Sequence, residues 1–153
     1  MEKLGSMKLE EQLCFPLYAC AREIVKAYRP SLETLGLTYT QYITMMVLWE
    51  ENQVTVKELG RRLHLDSGTL TPLLKKLEEK GYLKRERSTK DERVVIASIL
   101  PDGMKLKAQA AVVPGAMKSL LGDFSPAESE KLYRLLYHLM DILEQSGKKE
   151  NKK

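Results

Sequence analysis

Between Val56 and Leu100 the spacing of apolar residues changes period once, at Gly81, and few architectures accept that order. Before Gly81, Leu70, Leu73, Leu74 and Leu77 recur at i, i+3, i+4 and i+7, which is one face of a helix. After it, residues 82–87 and 94–100 read as two strands. The polar run Ser88-Thr89-Lys90-Asp91-Glu92-Arg93 between them is the long tip of a hairpin. Upstream, residues 57–63 form a short helix with Val56, Leu59 and Leu63 as its apolar points. His64-Leu65-Asp66 is a turn, and Asp66 or Ser67 caps the next helix. That helix runs to Lys80 and stops at Gly81, a glycine just past a helix C-terminus.

Helix, turn, helix, hairpin is the order of a winged helix-turn-helix. The flanks are helical. In residues 9–28, Leu13, Leu17, Cys20, Ala21, Ile24 and Tyr28 recur at three- and four-residue steps. Pro16 should kink this helix or mark its start, and Arg29-Pro30-Ser31 should end it. Thr38 and Gln41 form a capping box for a helix over 39–51 that is apolar nearly all round and therefore central in the core. From Asp102 the pattern is helical to about Leu121, with a kink at Pro114-Gly115. Ser125, Pro126 and Glu128 start a last helix with Leu132, Leu135, Leu136, Leu139, Ile142 and Leu143 on one face.

The expected fold is mainly α: one domain over 1–153, a winged helix-turn-helix with a two-stranded β-wing over about 54–100, and flanking helices over about 7–30 and 102–146. At 43% hydrophobic and 30% charged, the composition excludes a disordered chain. No apolar run exceeds five residues, so no membrane helix is available. Two cysteines are too few for a disulfide scaffold. Cys14 and Cys20 would stand about 9 Å and about 240° apart on a helix and could not bridge within one chain. A reducing, cytoplasmic setting follows as the expectation.

Charge is localised. Residues 57–93 hold eleven Lys or Arg against seven Asp or Glu, which accounts for the whole net charge of +4. A basic segment of this kind is the electrostatic footprint of nucleic-acid binding, although a solvated charged face gives the same count. The constellation decides more than the charge. A reading helix must bury one stripe and present short hydroxyls and cations on the other face, near its N-terminus. Ser67, Thr69, Thr71, Lys75 and Lys76 stand outside the leucine stripe. A wing needs a long cation that can enter a minor groove. Arg93 suits that role, with Asp91 two residues earlier to fix its guanidinium. Lys84, Arg85, Arg87 and Lys90 would lie near the sugar-phosphate backbone.

The segment 54–99 resembles the winged-helix domain of the MarR transcriptional regulators, and Asp91-Glu92-Arg93 matches that family's D-x-R wing motif. The sequences QLCF at 12–15 and DSGTLTPLLK at 66–75, at their mutual distance, resemble the organic-hydroperoxide repressor branch. The resemblance covers residues 9–143. It implies a homodimer built from the terminal helices and repression by binding double-stranded DNA at a pseudo-palindromic operator. It also implies that an organic hydroperoxide is sensed through one N-terminal cysteine, which falls on Cys14, assisted by tyrosines that fall on Tyr18, Tyr28 and Tyr39. No cysteine follows Cys20, so a sensor here would be of the one-cysteine type that needs an outside small thiol.

The residues alone add geometry. Cys14, Tyr18, Ala21, Val25 and Tyr28 share one helix face, yet Cys14 and Tyr28 lie roughly 21 Å apart along the axis. Antiparallel pairing of two such helices near Ala21 would bring Cys14 of one copy to Tyr28 of the other. Without the resemblance, Cys14 is most simply a small buried hydrophobe, and Cys20 is structural. His64 and His138 are isolated, so no metal site is expected, and neither a phosphate loop nor a catalytic triad is present. No cofactor and no enzymatic group is expected. Three other functions stay open on the sequence: a repressor answering a small aromatic ligand, a small thiol peroxidase using Cys14, and an interaction module without DNA.

Overall fold

The computed structural model describes residues 7–150, which divide into two compact units with the boundary between Met117 and Lys118. In the first, a short 3-10 turn (Leu9–Glu11) precedes α1 (Cys14–Glu33). Pro16 sits in the first turn of α1, where a missing N–H would have had no intrahelical acceptor. Pro30 does not end the helix as expected; α1 continues through it to Glu33. The bond lost to Pro30 falls on an exposed face, where water can serve the free carbonyl. Leu32, Leu35 and Leu37 are buried just beyond and anchor the last turn. The chain then reverses at Gly36, whose φ of +63° favours glycine.

Helix α2 (Tyr39–Glu51) opens on the expected capping box: Gln41 N donates to Thr38 Oγ1 and Thr38 N donates to Gln41 Oε1. Tyr42, Met45, Val47, Leu48 and Trp49 are buried, which puts this helix at the centre of the core. Trp49 Nε1 donates to Gly103 O at 2.8 Å, so the one indole in the core is satisfied.

The winged unit follows in order: β1 (Gln53–Thr55), α3 (Val56–Leu63), α4 (Ser67–Glu79), β2 (Leu83–Arg87) and β3 (Val95–Ile99). Asp66 rather than Ser67 caps α4, accepting from Thr69 N at 2.9 Å. Leu70, Leu73, Leu74 and Leu77 are all buried, each side chain stabilising the fold by about 1.5–3 kcal/mol through removal from water. The wing hairpin β2–β3 pairs Leu83 with Ile99 and Arg87 with Val95. A third strand, β1, joins the other edge of β3 with Val54 opposite Ala97, so the sheet order is β1-β3-β2. Three residues are too few to carry an alternation, which is why the lead-in to α3 did not read as a strand.

Beyond the sheet, α5 (Pro101–Ala110) and α6 (Val113–Leu120) replace the single kinked helix expected there. The break falls at residues 111–112, and Pro114 sits harmlessly in the first turn of α6. The second unit is dominated by α7 (Pro126–Glu150), started by Ser125 and Glu128 exchanging hydrogen bonds. Leu132, Tyr133, Leu135, Leu136, Tyr137, Ile142 and Leu143 are exposed along it. Among the described residues, no helix is long and apolar enough to cross a membrane.

Candidate nucleic-acid interface and thiol site

On α4, the side opposite the leucine stripe exposes Ser67, Thr69, Thr71, Lys75 and Lys76. The Thr69 hydroxyl also donates to Asp66 Oδ2 at 3.0 Å and so belongs to the cap. Lys75 lies 4.0 Å from Glu79, an exposed pair one turn apart that leaves its ammonium accessible.

The wing cations are held in different ways. Arg85 is the least accessible: its Nε and Nη2 donate to Glu78 Oε2 at 3.1 and 2.7 Å, and its backbone N donates to Glu78 Oε1 at 2.8 Å. It therefore ties β2 to the end of α4 instead of reaching outward. Arg87 Nη1 donates to Glu92 O at 2.6 Å across the tip, and Lys90 N donates to Ser88 Oγ at 3.2 Å. Arg93 is 90% exposed, yet its direction is set. Nε and Nη2 donate to Asp91 Oδ1 and Oδ2 at 3.1 and 3.2 Å, while Arg93 N donates to Asp91 Oδ1 at 3.0 Å. A planar fork clamped by both carboxylate oxygens is presented to solvent with few rotamers left.

The carboxyls that build this head are held below their ordinary range. The Arg93 side chain lowers Asp91, the Thr69 backbone N–H lowers Asp66, and the Arg85 side chain lowers Glu78. Because each is more acidic folded than unfolded, its contribution is complete above the unfolded carboxylate range near pH ~4 and is lost as pH falls through the folded values. The thermal midpoint is expected to stay level from pH ~7 to ~5 and to fall below that, and Glu78→Gln should flatten the fall. Differential scanning fluorimetry across pH checks this.

The thiol site lies on α1. Cys14 is its first residue and is exposed, not the buried hydrophobe that residue type alone suggested; Cys20 is exposed as well. Tyr18 stands one turn above Cys14, and Arg22 Nη1 donates to its hydroxyl at 2.7 Å. Tyr28 is elsewhere: its ring centre is 5.2 Å from Tyr39 and 6.2 Å from Tyr42, which in turn lies 6.2 Å from Trp49. Burial raises the Tyr39 and Tyr42 phenols above their ordinary range. One chain thus groups Cys14 with Tyr18, and Tyr28 with Tyr39, without bringing the two groups together. Sequence reasoning missed Arg22 and Tyr42. The i, i+4 step from Tyr18 would have found the first, whereas Tyr42 reads as ordinary core. No metal-binding cluster occurs among the described residues.

Residues 26–110 match the family model described as transcriptional regulator SarA/Rot. The chain is 46% identical over 145 residues to an organic hydroperoxide resistance transcriptional regulator of Bacillus subtilis, covering 95% of this chain and 98% of that one. The crystal structure of AbfR of Staphylococcus epidermidis superposes with a TM-score of 0.73 at 36% identity, covering 91% of this chain and 94% of that one. The structure of overoxidized AbfR bound to DNA superposes with a TM-score of 0.72, also at 36% identity, covering 90% and 96%. The buried leucine stripe, the three-stranded winged sheet and these similarities agree: the chain belongs to the MarR/SarA-type winged-helix transcriptional regulators, in the branch of the organic-hydroperoxide resistance regulators.

Proposed function

We propose that two copies of this chain form a repressor that grips a pseudo-palindromic operator and lets go when Cys14 is oxidised by an organic hydroperoxide. The observation that carries this reading is the coincidence of an exposed thiol and exposed apolar side chains on α1. Cys14 stands exposed on a helix that also exposes Leu13, Phe15, Tyr18 and Val25. Exposed apolar side chains in such number call for a protein partner. The exposed apolar side chains of α7 call for one as well. A second copy, with its α1 antiparallel to the first, would set Cys14 beside Tyr28 of the other chain. Bulk added at that sulfur would then change the spacing of the two heads directly.

Each head would place α4 in a major groove, with Ser67, Thr69, Thr71, Lys75 and Lys76 toward bases and phosphates, and the wing along the adjacent minor groove. Arg93 would enter that groove, while Arg87 and Lys90 would meet the backbone; Arg85 would act through its hold on Glu78. Two-fold pairing predicts half-sites about one helical turn apart, and affinity should fall steeply with salt. Arg93→Ala is expected to weaken operator binding about tenfold while lowering the thermal midpoint only slightly, because its pair with Asp91 is exposed. Fluorescence anisotropy on a labelled duplex, beside a melting curve, reads both.

Oxidation would begin with a sulfenic acid and end in a mixed disulfide with a small thiol such as cysteine. Since overoxidized AbfR is itself bound to DNA, the added thiol, more than the added oxygen, is the part expected to force release here. The test is a complex on the duplex from the promoter beside its own gene, given one equivalent of cumene hydroperoxide with and without cysteine, with intact mass read in parallel. Release by tenfold or more with cysteine, tracking a cysteinyl adduct at Cys14, supports the reading. Full adduct formation with undiminished affinity overturns it.

A further inference from the structure

We propose that Arg22 is a positioning residue of the thiol site, holding Tyr18 so that its phenol gives a proton to the alkoxide that leaves when Cys14 is oxidised. The inference rests on the reading of Cys14 as the peroxide-reactive thiol. Cys14, Tyr18 and Arg22 follow one another at four-residue steps on α1, so they form one row with about 6 Å of rise per step.

The Arg22 guanidinium is unusual in what it touches. Its Nη1 donates to Tyr18 Oη at 2.7 Å, and its central carbon lies 5.5 Å from the Tyr18 ring centre. The other cations of α1 meet carboxylates: Lys26 lies 3.6 Å from Glu23 and Arg29 4.0 Å from Glu33. Among the described residues, Arg22 meets none, although Glu23 is its neighbour in sequence. A phenol oxygen carries one proton and two lone pairs. With the guanidinium N–H filling a lone pair, the Tyr18 proton must point away from Arg22. Polarisation through the bond also makes that O–H a better donor.

The reaction balances as follows. The Cys14 thiolate attacks the terminal oxygen of the hydroperoxide; the S–O bond forms and the O–O bond breaks. Sulfur is oxidised to the sulfenic acid, and the peroxide is reduced to an alkoxide. Tyr18 gives its proton to the alkoxide, which leaves as the alcohol. The phenolate left behind sits against the Arg22 guanidinium until water returns the proton. A charge that develops beside a preplaced cation is stabilised with no reorganisation.

The test exploits the leaving group. An alkoxide needs a proton, whereas the carboxylate released by a peroxycarboxylic acid does not. Rates of Cys14 oxidation are measured by quenched-flow mass spectrometry for the parent, Arg22→Gln, Arg22→Lys, Tyr18→Phe and the double variant. With cumene hydroperoxide, Arg22→Gln is expected to be about tenfold slower, with partial rescue in Arg22→Lys. With peracetic acid it should match the parent. In the Tyr18→Phe background, Arg22→Gln should add nothing. Equal slowing with both oxidants, no slowing with either, or a further loss in the double variant would each overturn the role of Arg22 while leaving Cys14 as the sensor. A parent protein that neither oxidant modifies at Cys14 would overturn both readings together.

Discussion

The Cys14→Ser protein is expected to bind its operator as tightly as the parent and to remain bound through the peroxide-and-cysteine challenge that releases the parent tenfold or more. Within one chain the side chain is exposed at the first position of α1, and serine matches cysteine in shape, so exchanging sulfur for oxygen leaves the fold intact. It does remove the nucleophile: an alcohol is not oxidised by a hydroperoxide under conditions that convert a thiolate to a sulfenic acid. The response should therefore go from an order of magnitude to none, which anisotropy titrations before and after the challenge would show. Cys20→Ser should respond like the parent. Release that persisted in Cys14→Ser would move the signal to another group and favour a ligand bound between the helices.

The second large effect concerns stability. Gly103→Ala is expected to cost about 3 kcal/mol or more, from a total that for such domains is about 5–15 kcal/mol. A Cβ built on Gly103 falls 2.1 Å from Tyr82 O and 2.9 Å from Tyr82 C, with Ile99 Cγ1 at 3.1 Å. The first two are backbone atoms and cannot rotate aside. Tyr82 O is also fixed by accepting from Leu100 N at 2.9 Å, just before α5. Moving α5 away instead would pull Gly103 O off the buried Trp49 Nε1, leaving an indole N–H without its partner. Either route strains the junction of core, wing and α5. A fall in the thermal midpoint of roughly 10 °C should follow, checked by calorimetry and urea titration. An unchanged midpoint would mean that α5 slides without loss.

Much of the winged head is legible in the sequence. The four leucines of α4, the Asp66 cap, Gly81 and the polar tip are local signals, each acting within a few residues. The same holds for the boxes at Thr38 and Ser125. Where the sequence misled, a distant contact had overruled a local preference. Pro30 breaks helices in isolation, but Leu32 and Leu35 lock the following turn into the core. Arg85 looked like an outward cation because nothing near it in the chain shows that Glu78, across the turn, takes its guanidinium.

The sequence by itself determined the order of elements, the face each helix buries and the pairing of Arg93 with Asp91, since periodicity, capping and a two-residue clamp are all short-range. Tertiary structure alone decided three things. It added β1 to the wing, closed Gly103 against Tyr82, and grouped Tyr28 with Tyr39 and Tyr42 while leaving Cys14 exposed at the other end of the same helix. Those outcomes depend on which surfaces meet after the chain folds, and residues eleven or more positions apart on separate elements leave no mark of their meeting in a local pattern.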